Sequence, residues 1–201
     1  MLTRDEHSKD SKGLRRFRNP RDGFWHVHLT LGETYVTGKP DEILTTILGS
    51  CVAACIRDPQ KGVGGMNHFL LPQSEGHDHE ARCYGVNAME LLINDIIKQG
   101  GDRRALQAKL FGGANVVAAL SDVGSRNAAF ARQFLEDEGI AIVGGDVGGR
   151  MARRIQYNPA SGRAFQAAVK DSSKQLAAFE LSALTTQLAT TQDSSVEFFN
   201  A

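Results

Sequence analysis

Two apolar, β-branched runs, Ile43–Leu48 and Val52–Ile56, are separated only by Gly49-Ser50-Cys51. Runs this short, closed by glycine at one end and by Asp58-Pro59 at the other, read as strands rather than helices. A third run, Val63–Leu71, returns after the Lys61-Gly62 turn and stops at Pro72. The chain is thereby committed to a β scaffold in which a cysteine sits at a tight turn between two strands. Shorter β-prone segments lie at His26–Leu29, Thr34–Thr37, Gln107–Phe111, Ile140–Val143, Arg154–Tyr157 and Arg163–Val169. The last two flank Asn158-Pro159-Ala160-Ser161-Gly162 and predict a hairpin with a longer loop.

A helical period appears twice. Met89, Leu92, Ile93, Ile96 and Ile97 form one apolar stripe, stopped by Gly100-Gly101. The second helix is predicted from about Arg126 to Glu138, with Ser125 as its N-cap and Phe130, Phe134 and Leu135 on its buried face. Gln73–Arg82 reads as a polar loop. Strands interleaved with two helices give a layered α/β fold with a mixed sheet. No G-x-G-x-x-G or P-loop run is present, which removes the obvious nucleotide-binding readings.

The 201 residues divide into a basic tail over 1–23, one domain over 24–171, and a polar extension over 172–201. In the extension Leu176, Phe179, Ala183 and Leu184 have helical spacing, so an amphipathic helix and a disordered tail both remain open. With 23 basic and 23 acidic residues the formal net charge is zero, which disfavours nucleic acid as a partner. No apolar run approaches the ~18 residues of a membrane span, and the N-terminus lacks a secretory core. A cytoplasmic protein without membrane insertion is expected.

Three cysteines argue against a disulfide framework. On an extended strand Cys51 and Cys55 stand ~13 Å apart, beyond the ~7 Å that a disulfide allows. Cys51 with His68 is instead the pattern of a cysteine nucleophile and its base. Pairing with a histidine draws a thiol toward thiolate, and backbone N–H groups near Gly49, Ser50 and Cys51 would form an oxyanion hole. A third group must orient the imidazole. Thr45 and Thr46 point to opposite faces of a strand, and strand geometry alone does not choose between them. The plain alternative is a buried Cys51 beside a satisfied core histidine.

A Cys3His zinc set (Cys51, Cys55, Cys83, His68) is the rival use of these residues, and the strand spacing weakens it. His26 with His28, and His77 with His79, are further metal-capable pairs whose simpler reading is surface histidine. Asn67, Arg126 and Asn127 are candidates for gripping a substrate carboxylate or amide, a helix-start salt bridge being the plainer role for the last two. The pairs Gly144-Gly145 and Gly148-Gly149 mark turns; a phosphate cradle there lacks an accompanying lysine motif.

Several blocks together resemble the CheD family of chemoreceptor glutamine deamidases. They are Leu48-Gly49-Ser50-Cys51-Val52-Ala53-Ala54-Cys55, Asp58-Pro59, Gly64-Gly65-Met66-Asn67-His68-Phe69-Leu70-Leu71-Pro72, Tyr84-Gly85, Ala88–Ile93, Lys109–Ala114 and Gly124-Ser125-Arg126-Asn127. The resemblance spans roughly residues 30 to 170. It implies hydrolysis of glutamine side-chain amides on chemoreceptor cytoplasmic helices, no cofactor, and a fold like that of bacterial toxin-type cysteine deamidases. It also implies a CheC-type phosphatase as regulatory partner. In the family a threonine stands six residues before the cysteine, so the implied triad is Cys51, His68 and Thr45. The chain departs from the family's Gly-Gly-x-x-Gly-Arg pattern, with Ala152 where the third glycine is usual. A binding module for the phosphatase, with secondary catalysis, is the alternative function.

Overall fold

Alternation along the strands builds two sheets that share one apolar interface. The computed structural model of the chain describes residues 7–9, 13–72, 78–116 and 122–169. Its strands are β1 (His7–Lys9), β2 (Arg15–Arg18), β3 (Trp25–His28), β4 (Thr34–Thr37), β5 (Glu42–Leu48), β6 (Val52–Asp58), β7 (Val63–Asn67), β8 (Gln107–Gly112), β9 (Ala141–Val147), β10 (Arg153–Asn158) and β11 (Arg163–Ala168). The helices are α1 (Asp78–Lys98) and α2 (Val123–Asp137).

The first sheet has the order β1-β2-β3-β5-β10-β11 and the second β4-β7-β6-β8-β9. Both are mixed, because β3 pairs parallel to β5 and β8 parallel to β9. β6 shows how the layers form. Val52, Ala54 and Ile56 join Met89, Leu92, Ile93 and Ile96 of α1 and Phe134 and Leu135 of α2 in one core. Cys51, Ala53 and Cys55 face the other way and join Leu44, Leu48, Ile155 and Tyr157 in the core between the sheets. The order of layers is sheet, sheet, helices. A strand of the middle sheet such as β6 thus serves two cores at once.

Three expectations are corrected. Part of the predicted tail is strand: β2 pairs with β3, and Leu14 is buried. Arg16 anchors this segment, reaching the fully buried Glu42 at 2.9 Å and stacking over Trp25 at 4.2 Å. Lys39 (3.3 Å) and the Tyr35 hydroxyl (3.3 Å) share the Glu42 carboxylate, so Arg16 completes a set of partners around a buried charge. The predicted polar loop shortens, because α1 already begins at Asp78. The second helix starts at Val123, which puts Ser125 inside it, and Asp122 at the N-cap position makes no side-chain cap bond. Of the α1 stripe, Ile97 is partly exposed while the other four residues are fully buried. Residues 172–201, with their predicted stripe, lie outside the described residues.

Candidate active site

The turn Gly49-Ser50-Cys51 carries the chain from the first sheet to the second. Three successive carbonyls in it are tied down on one side. Gly49 O accepts from Ala114 N (2.7 Å), Ser50 O from Asn127 Nδ2 (2.8 Å), and Cys51 O from Gly113 N (2.7 Å). In a trans peptide the N–H points opposite the C=O, so the N–H groups of Ser50 and Cys51 turn away from these partners. The close approach requires Gly112, which has φ +103° and whose added Cβ would collide with the Cys51 carbonyl oxygen.

Beyond Cys51 the chain forms an antiparallel bridge: Val52 and Phe69 exchange both N–H···O bonds at 2.9 Å. Residues on either side of such a pair share a face. Cys51 therefore lies opposite Leu70, and His68 opposite Ala53, all on the inter-sheet side. Cys51 and His68 are diagonal neighbours on that face, an arrangement within side-chain reach. Both are buried, Cys51 at 2% and His68 at 5% exposure.

The ring of His68 is held from the opposing sheet. Thr46 Oγ1 donates to Leu29 O (2.8 Å) and stands 2.9 Å from His68 Nδ1. With its proton committed, the hydroxyl accepts from Nδ1–H, which fixes the tautomer and leaves the lone pair on Nε2. Nε2 is buried and has no hydrogen-bond partner among the described residues. Burial pushes the His68 pKa down to about 4; the Leu29 carbonyl opposes this by favouring the charged ring, and His28 adds to it. The resting ring is thus a neutral base, not the imidazolium of a standing thiolate pair.

Thr46 occupies the position that the family spacing assigns to Thr45. The reason is strand alternation. Leu44, Thr46 and Leu48 face the inter-sheet core, whereas Thr45 shares the outer face with Ile43 and Ile47, in register with His28 of β3. The sequence alone carries no signal for this choice, because Ile43-Thr45-Ile47 and Leu44-Thr46-Leu48 are equivalent patterns until the opposing sheet defines the inner face. Asn115 follows the Gly113-Ala114 clamp; its Nδ2 donates to Ser125 Oγ at 3.3 Å, and its Oδ1 is buried without a partner among the described residues.

The substrate-gripping candidates do not gather at the thiol. Asn67 is on the helix side of its sheet, where Oδ1 accepts from Ala54 N (2.9 Å) and Nδ2 donates to Ala88 O (3.0 Å). Asn127 is fully buried and spends its amide on Ser50 O and Leu71 N. Arg126 is exposed on α2 and lines the groove between the helices. The zinc set is dispersed as well: Cys83 is exposed on α1, on the far side of the second sheet from Cys51 and Cys55. His26 is buried against Asp22 at 2.9 Å and stacked on Phe17. No group of three or more metal-capable side chains occurs among the described residues. The glycines 144–149 offer no cradle, since the carbonyls of Asp146 and Gly148 face the Arg153 guanidinium. Ala152 needs no glycine, because no residue other than glycine has positive φ.

Burial of neutral His68 has a measurable consequence. Its folded pKa lies below the ordinary value of 6.5, so the unfolded chain takes up the proton first as pH falls. The stability present above pH 6.5 is expected to decline from there to about pH 4, by about 3 kcal/mol in total. Urea denaturation across this range, compared with His68→Asn, measures it; parallel profiles for the two proteins would refute the assignment.

Comparison with known proteins bears on the family. A family model described as CheD chemotactic sensory transduction matches residues 70–168. A Caulobacter vibrioides protein named "Probable chemoreceptor glutamine deamidase CheD" is 60% identical over 142 residues, 70% of this chain and 76% of its own length. A Rhizobium meliloti protein of the same name is 58% identical over 146 residues, 71% of this chain and 80% of its own. Among solved structures, the Bacillus licheniformis hypothetical protein YfiH aligns at TM-score 0.38 and 16% identity over 57% of this chain and 50% of that one, too distant to carry an argument. On its sequence relatives, the chain belongs to the CheD family.

Proposed function

We propose that this protein is a thiol amidohydrolase that converts particular glutamine side chains on chemoreceptor cytoplasmic helices to glutamate, releasing ammonia. One observation carries the reading: a neutral imidazole, oriented through Nδ1 by Thr46, lies one diagonal step from Cys51. The names of the relatives supply the substrate class.

His68 Nε2 takes the Cys51 proton as sulfur attacks the glutamine Cδ. The Cys51 N–H, turned away by the carbonyl clamp, and a neighbouring backbone N–H receive the developing oxyanion. The tetrahedral adduct collapses, the C–N bond breaks, and the imidazolium proton goes to the departing nitrogen. A glutamyl thioester and ammonia result. Water then attacks the thioester carbonyl, giving His68 a proton that returns to the sulfur as glutamate leaves. Thr46 Oγ1 and the Leu29 carbonyl hold the ring through both halves. Each turnover places a negative charge on a receptor helix, which shifts the electrostatics of the bundle.

The test is ammonia release from a receptor fragment, with mass spectrometry locating the amide-to-acid conversion. Absence of both with correctly folded protein defeats the proposal. The third triad position is tested separately. Thr46→Val is expected to lower kcat about 10²-fold, while Thr45→Val stays near wild type; the reverse order would restore Thr45 to the role.

The remaining parts of the reading are a CheC-type phosphatase as regulatory partner, a cytoplasmic location, and kinship of the fold with bacterial toxin-type cysteine deamidases. The sheet–sheet–helix layering with the cysteine at a strand junction is compatible with that kinship. No helix among the described residues is long and apolar enough to cross a membrane. Co-purification with the phosphatase examines the first of these.

A further inference from the structure

The inter-sheet face of β6 changes character along its length. It runs Cys51, Ala53, Cys55 and then Arg57, a span of six residues and roughly 20 Å. At the Arg57 end the sheets enclose a cavity of about 240 Å³. Register brings Lys109 beside Cys55 and Gln107 beside Arg57 on its floor. Tyr157 and the 160–162 turn close it from the first sheet.

Two cations line this cavity, and neither meets a carboxylate among the described residues. Arg57 donates to Ser161 O (2.9 Å) and Ala160 O (2.7 Å), and its Nε is buried without a partner. Lys109 spends one proton on Gly162 O (2.8 Å) and has two more to give. Tyr157 is 1% exposed and lines the cavity beside these two cations. Burial pushes both the Tyr157 hydroxyl and the Cys55 thiol upward in pKa, so both remain protonated donors. The cavity therefore offers positive charge and hydrogen-bond donors with no acid to neutralise them. Backbone carbonyl dipoles offset part of two enclosed charges, and a bound anion with several acceptor oxygens would complete the set.

We propose that the Arg57–Lys109–Tyr157 cavity is a binding site for a small oxyanion of the phosphate class, separate from the Cys51 site. The anion bridges the two sheets, accepting from Lys109 Nζ and Tyr157 Oη beside the Arg57 guanidinium.

Inorganic phosphate is the probe, added to the full chain against chloride at equal ionic strength. Phosphate also stabilises proteins generally by exclusion from their surface, so the readout must saturate. Phosphorus-31 line broadening under native conditions is expected to saturate, with a saturating rise in melting temperature alongside. Lys109→Met is expected to weaken binding at least about tenfold, and Arg154→Gln, on the outer face, to leave it unchanged. Tyr157→Phe keeps the ring and the packing and is expected to weaken binding about threefold to tenfold, which covers the case in which Lys109→Met does not fold. Broadening that never saturates, or that is the same in wild type and Tyr157→Phe, overturns the proposal. Ammonia release plays no part in these measurements, so they stand whatever the outcome at Cys51.

Discussion

Cys51→Ala is expected to reduce ammonia release from a receptor fragment by at least about 10⁴-fold in kcat/KM, the scale on which removing the nucleophile acts in enzymes of this type. The loss belongs to chemistry rather than folding. The substitution deletes one sulfur from a 2%-exposed side chain and leaves the three clamped carbonyls in place. A stability cost of about 1–2 kcal/mol is the most that such a deletion should bring. Denaturation and kinetics on the same preparation separate the two effects. Wild-type turnover in the alanine variant would end the thiol mechanism, and His68→Ala with undiminished turnover would end the base assignment alone.

The second large effect concerns Asn127, which sequence reasoning offered to the substrate. Asn127→Leu is expected to destabilise the fold by about 4 kcal/mol, as it strands the Ser50 carbonyl and the Leu71 N–H in a fully buried place at about 1–3 kcal/mol for each. Activity should fall with it, because the Ser50 carbonyl sets the peptide plane that carries the Cys51 N–H. A urea midpoint close to wild type would show that the clamp is dispensable. A raised KM with unchanged stability would return Asn127 to the substrate.

Much of this architecture was legible. The run at 52–56 became a strand buried on both faces, because its sheet lies between the first sheet and the helices, while 43–48 and 107–111 are strands whose inward residues alternate with half-buried ones. The α1 stripe was legible because four of its five residues meet one core. The N-terminal strands were not, since β2 is Arg15-Arg16-Phe17-Arg18 and its order depends on a buried carboxylate, Glu42, far along the chain. Cys51 and His68 were paired from local spacing, and the strand register puts both on one buried face. The contact of Thr46 with His68 was not legible, since Thr45 and Thr46 lie in equivalent apolar patterns and only the opposing sheet shows which face is inward. Asn67 and Asn127 were offered as groups able to grip a substrate carboxylate or amide. In the structure each satisfies backbone groups of a neighbouring element.

The clamp on the nucleophile turn also sets when activity can arise. The Ser50 carbonyl waits for a donor 77 positions later, and the Gly49 and Cys51 carbonyls wait for Ala114 and Gly113. During synthesis on the ribosome the cysteine therefore emerges long before the residues that shape its surroundings. A nascent chain ending before α2 carries the sulfur without the geometry, and closing so long a loop makes late maturation the rule.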